Sequence, residues 1–186
     1  MGFLFGNKIS LLRQIQNDAV DASVKVSDLL RKCKILAYRL GNEDFKSWVE
    51  NELNGYPEFK EELPQYRVLK NLNSKGHFSG PFDSGIRNAD IPIYNLPENL
   101  QEIVSTIIFH QPIAALEDLA SSESELSQPW QPIILAKYGM QMYQGYSCLQ
   151  AWKVIPTSVV IGIVDTIKTK ILNFVCKHPL NPIAMF

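Results

Sequence analysis

The chain has 186 residues, a mass of 21.1 kDa and a formal charge of −1, with 46% hydrophobic and 20% charged residues. It is long enough for one good-sized domain or two small ones, and at that size it should bury about 70% of the surface an extended chain exposes. Such a composition excludes a disordered chain, and an isoelectric point near 6.3 gives no global attraction to nucleic acid or to an anionic membrane.

The first third reads as helices. Ile9, Leu12, Ile15 and Ala19 recur at helical spacing, and Val26, Leu29, Leu30, Cys33, Leu36, Ala37 and Leu40 form a second, stronger stripe. Gly41 and Asn42 end that helix and start another, because glycine tolerates a left-handed cap while an asparagine side chain can accept from the amides that follow. The third helix carries Phe45, Trp48, Val49 and Leu53 and stops at Asn54-Gly55-Tyr56-Pro57, where Pro57 lacks the donor that a continuing helix requires. Three short helices with tight connections should pack as a bundle over residues 1–60.

Near residue 60 the pattern changes, with Glu61-Glu62-Leu63-Pro64 as the expected hinge. Residues 66–72 and 76–82 are expected as strands, followed by a loop over 80–85. Ile91-Pro92-Ile93-Tyr94 should be extended, since a residue before proline is pushed out of the helical region. Pro97 should open a helix through about Phe109, and Pro112 a shorter one containing Ile113, Leu116 and Leu119. The serine-rich stretch 121–127 reads as a surface loop, residues 130–138 fit helix or strand, and 146–155 reads as a strand. Pro156-Thr157 then leads into a long helix with Val160, Val164, Ile167, Ile171 and Val175 on one stripe. The fold class is therefore α+β: an N-terminal helical bundle, a mixed subdomain over 61–178 with a small sheet and a long C-terminal helix, and a tail over 179–186.

Catalytic motifs are absent. The glycines at 76, 80 and 85 do not fit a dinucleotide loop, and no phosphate-loop lysine signature occurs. Cys33, Cys148 and Cys176, with His77, His110 and His178, have no zinc spacing, so the thiols are expected to be reduced and structural, with no metal and no cofactor. Cys148 with His77 or His110, the carboxylates Glu58, Glu61 and Glu62, and the set His77, Asp83 and Asp90 are the assemblies on which an enzyme would have to draw. None carries a surrounding signature. The N-terminus lacks a basic and apolar leader, which points to the cytoplasm, and the apolar run 159–164 is too short to cross a bilayer.

One charge pattern has geometry. Lys25, Lys32 and Arg39 are seven apart on the second helix, lining one edge of its apolar stripe along about 21 Å, while Arg31 and Lys34 lie toward the other edge. Residues 25–39 balance at +4 and residues 43–62 at −5. Two readings stay open: neighbouring helices neutralise each other, or these five basic residues bind a partner. A lack of catalytic motifs beside a dense apolar content favours a binding or assembly module over an enzyme.

The run from Lys25 to Pro57, with Leu63-Pro64-Gln65-Tyr66-Arg67, Ile91 to Pro97 and Ile155 to Phe174, resembles the AbiTii family, a domain of bacterial abortive-infection and phage-defence proteins. The resemblance spans roughly residues 8–175. It implies a sensing, scaffolding or regulatory module that binds another defence protein or a second copy of itself, with no membrane partner. A toxic effector acting on nucleic acid is the alternative. In the family the last helix usually bears an arginine near the position of Lys168 and runs on past that of Phe174, so the break at His178-Pro179 implies a stand-alone form or a shortened chain. Structural roles are expected for Trp48, docking the third helix, for Gly55, Tyr56 and Pro57, setting its exit, and for Pro92, Pro97 and Pro156 at element starts.

Overall fold

The computed structural model describes residues 10–58 and 63–177. Glu61 and Glu62 of the expected hinge, Ile9 of the first stripe, His178 and the tail 179–186 lie outside the described residues. The architecture is α+β, and the chain divides into two compact units, one built from residues 10–58, 110–120 and 160–177 and the other from 63–109 and 121–159.

The first unit is helical. α1 (Leu11–Val20) is capped by the Ser10 side chain, which accepts from the Arg13 amide. α2 (Val26–Leu40) buries Val26, Leu29, Leu30, Cys33, Leu36 and Ala37, and Leu40 alone of its expected stripe is exposed, one residue before the cap. Gly41 takes the left-handed conformation at φ 63°, and the Asn42 side chain caps α3 (Glu43–Asn54) at Phe45 N, 2.9 Å away. These local signals work as the sequence implies because each is complete within one helix turn.

α3 buries Phe45, Val49 and Glu52, and Trp48 lies half-buried at the edge of that face, its ring stacked on Phe45 at 5.7 Å. Gly55 ends the helix at φ 89°. There the Tyr56 amide donates to the His110 carbonyl at 2.8 Å, and the buried Tyr56 hydroxyl donates to Glu52 Oε1 at 2.7 Å. Pro57 is exposed. α5 (Ile113–Ala120) follows Pro112 and buries Ile113 and Leu116, packing against α2 and α3. α7 (Thr157–Lys177) begins after Pro156 and turns Val160, Ile163, Ile167, Ile171 and Val175 inward. Ile163 is buried and Val164 only half so, a rotation of one position from the expected stripe. Lys168 Nζ donates to the carbonyls of Asp21 and Val24, tying α7 to the α1–α2 connection.

The second unit holds a four-stranded antiparallel sheet in the order β3-β2-β6-β5, from β2 (Ser74–Ser79), β3 (Gly85–Asp90), β5 (Leu126–Pro129) and β6 (Ser147–Ile155). Its core joins Phe78, Ile91, Leu96, Val104, Trp130, Ile134, Met142, Cys148 and Ala151. A polar chain runs through it, from Trp130 Nε1 to Ser74 Oγ at 3.0 Å and from Ser74 Oγ to the Val104 carbonyl at 3.0 Å. β1 (Val68–Leu69) and β4 (Ile107–Ile108) pair separately.

Several expectations are corrected here. Tyr66 lies in a 3₁₀ turn (Gln65–Arg67) that buries Arg67, whose guanidinium donates to the Phe109 carbonyl at 2.9 Å. Only two residues of the expected strand over 66–72 pair, because β4 is itself only two residues long. The expected strand over 76–82 is displaced to Ser74–Ser79. Past Pro92, the residues Ile93–Asn95 form a 3₁₀ turn in place of extended chain, with Asn95 N donating to the Pro92 carbonyl at 3.0 Å. Pro97 caps α4 (Glu98–Ser105) from outside, and the helix stops four residues short of Phe109, whose amide is taken by the Arg67 carbonyl. β5 begins inside the expected serine-rich loop, and Pro132–Tyr138 resolves as α6, opened by Pro132 in its first turn.

Candidate functional site

α2 is held at both ends. Its N-cap residue, Lys25, makes no side-chain cap. The missing acceptor comes from α5, where Glu117 Oε1 accepts from Val26 N at 2.6 Å and from Ser27 N at 3.4 Å. A carboxylate there meets the positive end of the helix as well as its unpaired amides. At the other end the Gly41 amide closes onto Ala37 and Tyr38.

With the helix so fixed, the five basic candidates separate by the direction they face. Lys32 Nζ reaches Asp18 Oδ2 of α1 at 2.5 Å, and Lys34 Nζ reaches Glu50 Oε1 of α3 at 3.3 Å. Arg31 pairs with Asp28 of its own helix at 2.5 Å, both side chains being well exposed, and such a pair contributes little stability. Lys25 and Arg39 are exposed at the two ends, with no ion pair among the described residues. Lys25, Lys32 and Arg39 are thus not a uniform row, since the middle one is drawn against α1.

The outward face holds two residues that charge spacing did not single out. Ile35 is 50% and Tyr38 57% exposed, and with Arg31, Lys34 and Arg39 they line a shallow depression of about 410 Å³. Tyr38 is held in place. Its hydroxyl donates to Glu50 Oε1 at 3.2 Å and the Lys46 ammonium sits 4.5 Å from its ring centroid. Lys34 beside it, then the Tyr38 hydroxyl, hold the Glu50 carboxyl below the usual carboxylate range. The sequence signal for this patch was available: Ile35 and Tyr38 are large apolar residues that fall off the stripe formed by Leu29, Leu30, Cys33, Leu36 and Ala37.

The AbiTii family model matches residues 10–177. The chain belongs to the AbiTii family. No curated protein and no solved structure matches it. In this AbiTii chain the run from Lys25 to Pro57 is α2, the Gly41-Asn42 junction, α3 and the Gly55 turn, so that run builds the patch and its support.

Of the enzymatic assemblies drawn from the sequence, Cys148 and His77 fall on opposite faces of the sheet, and Glu61 and Glu62 lie outside the described residues. β6 pairs with β2 so that Cys148 lies opposite Phe78 and His77 opposite Gln150. Cys148 belongs to the core, and its thiol is pushed up to about 11, mainly by burial. His77 packs edge-on to Trp152 on the other face, its Nδ1 accepting from Asn88 N at 3.0 Å. His110 lies in the helical unit. Cys33 is fully buried, which raises its thiol to about 12. Among the described residues no group of three His, Cys, Asp or Glu side chains is placed to hold a metal ion, and no helix is long and apolar enough to cross a membrane.

Proposed function

We propose that this AbiTii chain is a non-enzymatic sensing, scaffolding or regulatory module of a bacterial antiphage defence system, and that it works by binding a protein partner on the outer face of α2. The observation that carries this reading is the exposure of Ile35 and Tyr38 between Arg31, Lys34 and Arg39. Apolar surface held open to water on a rigid helix is stabilised when a partner covers it, and a cationic rim selects a segment whose apolar side chains are flanked by carboxylates. Neutralisation between helices accounts for Lys32 and Lys34. It leaves Arg39 and the apolar pair unexplained.

The test is protection of a bacterial host against a phage panel, scored as plaque number, by the chain with its neighbouring genes. Ile35→Ser with Tyr38→Ser, and separately Arg31→Glu with Arg39→Glu, should abolish protection while the far-ultraviolet circular dichroism spectrum and the melting temperature stay near the parent values. Folded variants that still protect would overturn the reading. The alternative effector reading requires association with RNA or DNA through this face that collapses between low and physiological salt.

A further inference from the structure

The hairpin between β2 and β3 ends in a strained, fully solvated aromatic residue. Its turn runs from Pro81 to Ser84 and is closed by Ser84 N donating to the Pro81 carbonyl at 3.1 Å. The Ser84 hydroxyl donates to the same carbonyl at 2.6 Å, and the Gly80 amide donates to the Ser84 carbonyl at 2.8 Å. The two central residues, Phe82 and Asp83, both have positive φ, 55° and 57°. Turns of this kind favour glycine, asparagine and aspartate, so Asp83 suits its place while the bulky Phe82 is under steric strain. Phe82 is also 102% exposed, the highest value among the described large apolar side chains. Asp83 is exposed beside it and makes no ion pair among the described residues. Over residues 79–86 Asp83 is the only charge.

A phenyl ring held in water on a hydrogen-bonded turn is a knob, and the carboxylate beside it specifies the charge of a matching socket. That acid disfavours phosphate and anionic lipid and favours an apolar hollow with a basic rim. The depression on α2 has this composition, with Ile35 and Tyr38 between Arg31, Lys34 and Arg39. Arg31 and Lys34 already face Asp28 and Glu50, while Arg39 has no ion pair among the described residues, so Arg39 gains most from a new carboxylate. Resting on the reading of the α2 face as a protein-binding surface, we propose that its occupant is a second copy of this chain, whose Phe82 ring enters between Ile35 and Tyr38 while its Asp83 pairs with Arg39. Knob and socket are different surfaces, so the contact is heterologous. A copy bound through its knob still offers its socket, and copies add until a ring closes or continue as a filament.

Sedimentation velocity of the full chain from about 1 µM to about 1 mM tests the contact. Species heavier than the 21.1 kDa monomer are expected toward the upper end, because an interface centred on one aromatic side chain belongs to the weak, transient class. Phe82→Asn suits the positive φ, so this variant should fold at least as stably as the parent and associate about tenfold or more weakly. Ile35→Ser with Tyr38→Ser should weaken association likewise, as should Asp83→Lys, which sets like charge against Arg39. The Phe82→Asn chain keeps its socket and the Ile35→Ser, Tyr38→Ser chain keeps its knob, so a mixture should form a pair of one copy of each that neither forms alone. A parent that stays monomeric throughout, a Phe82→Asn chain that associates like the parent, or a mixture no heavier than its components would overturn the proposal. Phage protection separates the two readings of α2. Protection kept by Phe82→Asn but lost in the folded Ile35→Ser, Tyr38→Ser chain leaves α2 a partner surface and overturns the second copy as its occupant. Protection kept by the folded α2 variants overturns the defence role of that face, and association lost in the same variants still supports the contact between copies.

Discussion

Removing the Glu117 carboxylate should loosen a helix that Glu117 does not belong to. Glu117 Oε1 accepts from Val26 N at 2.6 Å and, more weakly, from Ser27 N at 3.4 Å, at the start of a helix whose own N-cap, Lys25, caps nothing. A hydrogen bond to an ionised acceptor contributes about 1.5–3 kcal/mol net, and losing an N-cap costs about 1–2 kcal/mol. These are two views of the same contact, so Glu117→Ala should cost about 2 kcal/mol, or about 4–8 °C in melting temperature for a chain of this length. The specific check is rescue. Lys25 sits at φ −63°, ψ 139°, a backbone that suits a capping serine. In the Glu117→Ala background, Lys25→Ser should therefore restore about 1 kcal/mol. In the parent, where those amides are already satisfied, it should change stability by less than about 0.5 kcal/mol, leaving a measurable coupling between the two positions. Urea unfolding and the hydrogen exchange of the Val26 and Ser27 amides report it directly. A loss below about 0.5 kcal/mol for Glu117→Ala, or equal stabilisation by Lys25→Ser in both backgrounds, would refute capping from a distance.

Two glycines at positive φ should respond unequally to alanine. A Cβ on Gly55, at φ +89°, would lie 2.6 Å from the His110 carbonyl oxygen that also accepts from Tyr56 N. Gly55→Ala should lose about 3 kcal/mol or more by denaturant unfolding, since strain and clash add. Gly41, at φ +63°, has nothing within 4 Å of its Cβ position, so Gly41→Ala should lose only the left-handed backbone penalty of about 1 kcal/mol. Of the three free thiols, Cys176 is exposed while Cys33 and Cys148 are buried and pushed up to about 12 and about 11. Near pH 8 a disulfide reagent should therefore titrate one thiol rapidly and the other two only at the rate of unfolding. Three rapid thiols would show that the cores around Cys33 and Cys148 open freely.

Elements whose signals are local were legible in the sequence. α1, α2 and α3 follow from stripes of period 3.6, with Gly41 and Asn42 at the α2–α3 junction and Gly55 and Pro57 after α3, and α5, β6 and α7 lie close to where proline and apolar patterning put them. The edge strands were not legible, for a physical reason. β3 and β5 have no buried residue, so neither shows the alternation that marks a half-buried strand; both exist because β2 and β6 offer them unpaired backbone. α4 likewise ends where Phe109 N is claimed by the Arg67 carbonyl, forty-two positions back in the chain.

The candidate site divides in the same way. Composition and spacing placed Lys25, Arg31, Lys32, Lys34 and Arg39 on one helix, because a helix converts sequence interval into direction without reference to anything else. Which of them face solvent depends on Asp18 and Glu50, carried by neighbouring helices, and on the packing that leaves Ile35 and Tyr38 uncovered. The cap on α2 comes from Glu117, ninety-one residues away, and the stack of Phe45 on Phe174 joins rings from distant parts of the chain. Charge, helical periodicity and the local caps at Gly41 and Asn42 are properties of a few consecutive positions and the sequence alone determines them. Exposure, pairing and the joining of distant aromatic rings are properties of the packed chain, and only the tertiary structure decided them, because each is set by what the rest of the protein removes from water.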